Sequence, residues 1–131
     1  MKYFIQNLTV FCCSLLLLIL VVNCSDSHKA NSDTSFSSEL VELAKLGNAE
    51  AQYKLGRCYY NGEGVTPNYT EAAKWIQKAA DQGFAQAQYN MGDLYLAGLG
   101  VCKDWSKAKK WYTKAAEQGH KGAIITLETL K

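Results

Sequence analysis

Residues Ala51–Gly83 read AQYKLGRCYYNGEGVTPNYTEAAKWIQKAADQG, and residues Ala87–Gly119 read AQYNMGDLYLAGLGVCKDWSKAKKWYTKAAEQG. The second stretch is the first displaced by 36 residues (51 to 87), a period in the range that builds solenoids. The identities include Ala51/Ala87, Tyr53/Tyr89, Gly56/Gly92, Tyr59/Tyr95, Gly62/Gly98, Gly64/Gly100, Ala72/Ala108, Trp75/Trp111, Ala79/Ala115 and Gly83/Gly119. Small residues, aromatics and glycines recur in register, so spacing and packing are repeated together.

Each unit reads as two helices. The first spans about Ala49–Asn61, where Ala51, Leu55, Cys58 and Tyr59 fall at i, i+4, i+7 and i+8 on one face. Paired glycines end it, Gly62 and Gly64 in one unit and Gly98 and Gly100 in the next, and glycine supplies the positive φ that a tight reversal needs. Asn68 is placed to N-cap the second helix, with Glu71 three residues on to complete a capping box; Asp104 takes the same position in the following unit. The second helices carry Ala72, Trp75, Ile76 and Ala79, then Ala108, Trp111, Tyr112 and Ala115. Alanines, with Gly56 and Gly92, let backbones approach, while Trp and Tyr fill the wedge between layers.

The array has partial units at both ends. Leu40, Leu43, Ala44 and Leu46 keep near-helical spacing, and Gly47 is in phase with Gly83 and Gly119, so residues 39–47 form a second-helix half-unit. Full repeats follow at 48–83 and 84–119, and residues 120–131, with Ala123 in phase, form a capping helix. The expected fold is all-α: a short solenoid of helix pairs.

The pattern A-x-Y-x-L/M-G-x-x-Y-x-x-G-x-G-V, then A-x-x-W, then K-A-A-x-Q-G, resembles the Sel-like repeat, a tetratricopeptide-like helix pair with a longer internal loop. The resemblance covers Leu40–Lys131. It implies a right-handed α-solenoid serving as a protein-binding adaptor, with no fixed ligand. By analogy with tetratricopeptide units, Tyr53, Arg57, Tyr60 and Asn61, with Tyr89, Asp93 and Leu96 beside them, would line the concave, partner-binding side; exposed Tyr and Arg are enriched in binding hot spots. Tyr53 and Tyr89 recur in both units and equally suit packing, whereas Arg57, Tyr60, Asp93 and Leu96 vary between units, as specificity positions do. Some bacterial members staple each helix pair with cysteines; those places hold Ala80, Ala116 and Gln52 here, so that framework is absent.

The N-terminus has a different character. A weakly basic lead-in precedes Leu8–Val22, an almost unbroken apolar run that suits a signal peptide better than a spanning helix of about 20 residues. Val21-Val22-Asn23-Cys24-Ser25 resembles the lipobox of bacterial lipoproteins, which implies a signal peptide over residues 1–23, lipidation of Cys24 and anchoring in the bilayer. The position before the cysteine is normally Gly, Ala or Ser; Asn23 there leaves ordinary cleavage nearby, or an uncleaved anchor over Ile5–Val22, as alternatives. Residues 24–38 are rich in Ser, Asp and Asn with Phe36 the one large apolar residue, and such composition reads as a flexible tether. Under the lipobox resemblance, Ser25 after Cys24 does not look like the aspartate that retains lipoproteins at the inner membrane, which implies the outer membrane, facing the periplasm.

The remaining chemistry is sparse. Net charge is +2 over 131 residues, which argues for no nucleic-acid partner. No Cys/His/Asp/Glu spacing matches a metal site, no cofactor motif occurs, and neither a Ser-His-acid set nor a Ser-x-x-Lys pattern appears in the repeats. Cys58 sits at an apolar face position and Cys102 in a loop. Lys103, Lys107, Lys109, Lys110, Lys114 and Lys121 make the last helix pair basic, a solvated face or a patch for an acidic partner or anionic head groups. The function expected is a non-enzymatic protein–protein interaction module in the bacterial envelope, possible roles including immunity or inhibition; the alternative is an envelope enzyme acting on β-lactam or peptidoglycan substrates.

Overall fold

A computed structural model of the chain describes residues 36–130. The signal peptide and Cys24 lie outside the described residues, as does the tether up to residue 35. The described part contains six helices in order: α1 Ser38–Lys45, α2 Ala49–Asn61, α3 Tyr69–Asp81, α4 Ala85–Ala97, α5 Trp105–Glu117 and α6 Lys121–Thr129. No strand occurs among the described residues. Consecutive helices pack on each other, α2 with α3 and α4 with α5 forming the two full hairpins.

Three apolar clusters run along the stack, and each joins helices of neighbouring units. The first gathers Ala44 of α1 with Ala51 and Leu55 of α2, and Trp75 of α3 packs against it. The second joins Ala73, Ile76, Ala79 and Ala80 of α3 to Ala87, Met91 and Leu94 of α4, with Trp111 of α5 against it. The third joins Ala108, Tyr112 and Ala115 of α5 to Ala123 of α6. Each tryptophan therefore reaches back over the seam before its own hairpin. Neither indole is fully buried: Lys78 Nζ lies 4.2 Å over the Trp75 ring and Lys114 Nζ 4.3 Å over Trp111.

The glycines at the helix crossings are steric necessities. A Cβ on Gly56 would stand 2.5 Å from Ile76 Cγ1, and one on Gly92 would run into the Tyr112 ring. The α2 and α4 C-caps, Gly62 and Gly98, hold φ of +75° and +74°, the left-handed conformation that closes a helix most cheaply when no Cβ is present.

A polar ladder, absent from the sequence expectations, repeats with the same period. Gln52 is 5% exposed and donates through Nε2 to the Ala44 carbonyl at 3.0 Å; Gln82 Nε2 donates to the Gly47 carbonyl at 2.9 Å and to Gln52 Oε1 at 2.7 Å. One repeat later, Gln88 Nε2 donates to the Ala80 carbonyl at 3.2 Å, and Gln118 Nε2 to the Gly83 carbonyl at 2.9 Å and Gln88 Oε1 at 2.7 Å. The Ala44 and Ala80 carbonyls also accept from the Gly47 and Gly83 amides at 3.1 and 3.0 Å, so the two glutamine pairs add a further donor there and tie each chain reversal to the next.

Two local expectations need correction. Asn68 does N-cap α3, its Oδ1 accepting from the Thr70 and Glu71 amides at 3.0 and 3.1 Å. Its own N–H, however, donates to the Tyr59 carbonyl at 2.8 Å, and Glu71 pairs with Lys74, so no reciprocal capping box forms. The folded region also begins before residue 39. Phe36, assigned to the tether, packs edge-on against Tyr59 with centroids 5.8 Å apart, and Ser37 Oγ caps α1 by accepting from the Leu40 amide at 3.1 Å. A single aromatic with a ring to meet escapes a composition argument.

Candidate partner-binding groove

The side chains that differ between the repeats meet on one wall. Arg57, Tyr60 and Asn61 lie on the last turns of α2, and Asn90, Asp93 and Ala97 lie on α4. Together with Leu99 and a floor of Ile76 and Leu94, they enclose a groove of about 280 Å³. The floor is fixed by packing: Ile76 is 1% exposed and Leu94 3% exposed. The rim is polar and exposed at Arg57, Tyr60 and Asn61.

Four of the seven residues expected at the partner surface line this groove: Arg57, Tyr60, Asn61 and Asp93. The other three take packing contacts. Tyr53 is tilted against Phe84 with centroids 5.3 Å apart, and its hydroxyl accepts from Asn90 Nδ2 at 3.2 Å. Tyr89 lies between Tyr112, at 5.6 Å, and His120, at 4.7 Å. Leu96 packs on the cluster around Tyr112. Both tyrosines recur in the two units because both seams need a ring there. Asn90 was missed; its signal is that it replaces Lys54 in an otherwise matching register.

The charged groups of the groove are unequal. Asp93 Oδ1 accepts from the Tyr112 hydroxyl at 2.8 Å. Partial burial pushes the Asp93 carboxyl above its ordinary range, although the Tyr112 hydrogen bond opposes this. Burial, reinforced by Asp93, pushes the Tyr112 phenol far up. One carboxylate oxygen is therefore held by a tyrosine that is itself fully buried, while Asp93 as a residue stays exposed. Arg57, by contrast, forms no ion pair among the described residues. Asn61 Nδ2 donates to Glu63 Oε1 at 2.7 Å, and Asn90 Oδ1 accepts from Gln86 Nε2 at 3.2 Å. A guanidinium with open donors beside two amides and an apolar floor suits a carboxylate or a peptide carbonyl next to an apolar side chain.

Cys58 belongs to the core, being 0% exposed, and burial with help from Glu63 pushes its thiol up. Cys102 is exposed, and no disulfide joins the two. Among the described residues no group of three or more His, Cys, Asp and Glu is placed to hold a metal ion.

Among the described residues, an all-helical stack with repeat-specific polar residues over a seam that both units share defines a helical-repeat protein. Residues 49–84 and 85–120 each match the Sel1 repeat model, and the chain belongs to the Sel1 repeat family. Sel1-repeat proteins are in general protein-interaction modules. The fold is similar to the crystal structure of a Sel1 repeat protein from Oxalobacter formigenes, with 42% identity and a TM-score of 0.68, over 69% of this chain and 68% of that one. It is likewise similar to c5321, a protective antigen of uropathogenic Escherichia coli strains with an SLR fold, at 41% identity and a TM-score of 0.66, over 67% of this chain and 19% of that one. Cysteine-rich protein B of Helicobacter pylori matches at 28% identity with a TM-score of 0.64, over 66% of this chain and 65% of that one. Among curated sequences, a putative sel1-like repeat-containing protein of Acanthamoeba polyphaga mimivirus is 51% identical over 45 residues, so this chain spans only 8% of that relative's length.

Proposed function

We propose that this is an exported protein-interaction module of the bacterial cell envelope, anchored by a lipid on Cys24, that captures a segment of a partner protein in the groove between α2 and α4. The observation that carries this reading is the groove itself. Arg57, Tyr60 and Asn61 stand exposed above a floor of buried Ile76 and Leu94, with Tyr60 held edge-on against Tyr69 at 5.3 Å and Arg57 in no ion pair among the described residues. The partner segment bears a carboxylate or exposed carbonyl for Arg57 and an apolar side chain for the floor. A role as an immunity or inhibitor protein fits a groove of this kind, because occupying one segment of a partner is sufficient to block it.

The anchor is supported by the apolar run Leu8–Val22 followed by Cys24. Radiolabelled palmitate should enter the chain and disappear with Cys24→Ala. For the groove, Arg57→Glu combined with Tyr60→Ala should abolish co-purification of the partner from envelope extracts while leaving a cooperative thermal melt, lowered only by the loss of the Tyr60–Tyr69 ring contact. Undiminished co-purification by a folded double variant would remove the groove from the account.

A further inference from the structure

Trp105, Ser106, Lys109, Lys110, Thr113 and Lys114 of α5 fall at i, i+1, i+4, i+5, i+8 and i+9, one stripe of the helix surface. The same stripe on α3 is covered only at its centre, where Ala73 is buried; Tyr69, the counterpart of Trp105, is 44% exposed, and Thr70, Lys74 and Lys78 are exposed. There Met91, Tyr95, Gly100 and Val101 of the following repeat stand beside Thr70 and Ala73. Gly100 comes so near that a Cβ would run into the Tyr69 carbonyl, and Ala73 is 3% exposed. On α5 the stripe is instead an open depression of about 440 Å³, lined by α5 residues alone, with Trp105 43% exposed beside it.

The side chains have changed with the surroundings. Lys109 stands where Ala73 stands, Lys107 where Glu71 stands and Lys103 where Pro67 stands. Residues 103–114 thus carry five lysines and one acid, against two lysines and one acid over 67–78. Lys107 reaches Asp104 at 3.9 Å and Lys114 lies over Trp111. Lys103, Lys109 and Lys110 pair with no acid among the described residues.

We propose that this face of α5 docks on an anionic phospholipid surface, the lysines meeting lipid phosphates and the Trp105 indole settling at the interface. An open stripe on one helix offers a protein partner no enclosed apolar centre, which stable protein interfaces have. A planar array of phosphates needs none; each lysine near an anionic surface attracts it, and indoles favour the head-group level. Docking would lay the second repeat against the bilayer and leave the α2–α4 groove open. In the cell this rests on the export and Cys24 anchoring proposed above, but the docking itself can be measured without them.

The test uses the full chain with vesicles of phosphatidylcholine alone and of equal parts phosphatidylcholine and phosphatidylglycerol. The N-terminal apolar run is present in both, so the difference between the vesicles isolates charge. Acrylamide quenching of Trp105 is obtained as the difference between the wild type and Trp105→Phe. Trp105 should be shielded only on the anionic vesicles, and molar salt should restore quenching. The triple variant Lys103→Gln/Lys109→Gln/Lys110→Gln, which changes exposed side chains only, should weaken docking about 100-fold, roughly five-fold per lysine, with an unaltered circular dichroism melt. Equal quenching on both vesicles, or shielding that survives the triple variant, overturns the proposal. Shielding by polyglutamate but not by anionic vesicles also overturns it, in favour of an acidic protein partner.

Discussion

The imidazole of His120 lies stacked on the phenol ring of Tyr89, centroids 4.7 Å apart and planes inclined by 22°. One repeat earlier the same place is held by Phe84 on Tyr53, and one repeat before that the position is Asn48, which caps α2 by accepting from the Ala51 amide at 2.8 Å. His120 combines the two roles. Its Nδ1 accepts from the Ala123 amide at 3.2 Å to cap α6, while Nε2 faces Gln86 Oε1 at 3.0 Å. Acceptance at Nδ1 assigns the proton to Nε2.

The two roles can be separated by substitution. His120→Phe keeps a ring on Tyr89 and loses the cap; His120→Asn keeps a cap and loses the ring. Each should cost about 1 kcal/mol in chemical denaturation, the usual worth of an N-cap or an aromatic pair. Amide exchange at Ala123 should accelerate in the Phe variant and change less in the Asn variant.

The glutamine ladder should behave as coupled pairs. Gln88→Leu removes one donor to the Ala80 carbonyl, which still accepts from the Gly83 amide, and one of two acceptors of Gln118, at a cost of about 0.5–1.5 kcal/mol per hydrogen bond lost. Gln118→Leu on top of it should cost much less than in the wild type, because the shared bond has already gone. A double-mutant cycle in urea measures this, and additive losses would show that the pair does not act as one.

Much of the fold is legible in the sequence because glycine and alanine positions carry it. The spacing places a helix at Ala49–Asn61, and α2 occupies that span, because Gly62 can close it with positive φ. The groove was half legible. Positions that break the repeat, such as Arg57 and Asp93, lie on it, whereas Tyr53 and Tyr89 are drawn into the seams. What stayed hidden were pairings between residues far apart in the chain: Tyr112 with Asp93, 19 residues away, and the glutamine pairs, 30 residues apart. A polar residue in a helix reads as solvent-facing until the neighbouring turn is known. Phe36 was hidden for the converse reason, as its partner Tyr59 lies in another unit.

Gly92 is fixed by Tyr112. Gly92→Ala should destabilise by about 1–3 kcal/mol, typical of overpacking, since the added Cβ meets a ring with no exposed surface. In a Tyr112→Leu background the penalty should shrink markedly. An undiminished penalty there would locate the strain in the α4 backbone instead.

The Asp93–Tyr112 pair gives a pH signature at both ends of the scale. Asp93 has its carboxyl raised from 3.8 in the fold, so its contribution to stability is fully present below 3.8 and is lost as pH rises through the folded value. Asp93→Asn, which keeps an acceptor for the Tyr112 hydroxyl, should therefore gain on the wild type as pH rises from the acid side. Tyr112 is raised from 10.0, so its contribution holds below pH 10.0 and falls away above it. Tyr112→Phe should lose that alkaline slope. Melting temperatures across pH for the three proteins test both signs.

The most direct test of the partner groove is photo-crosslinking in living cells from a benzoylphenylalanine placed at position 60, with position 78 on the outer face of α3 as the control. One dominant protein adduct is expected from position 60, lost when Arg57→Glu is added, and none from position 78. Adducts from position 78 alone, or an adduct from position 60 indifferent to Arg57, would contradict a partner bound in the groove.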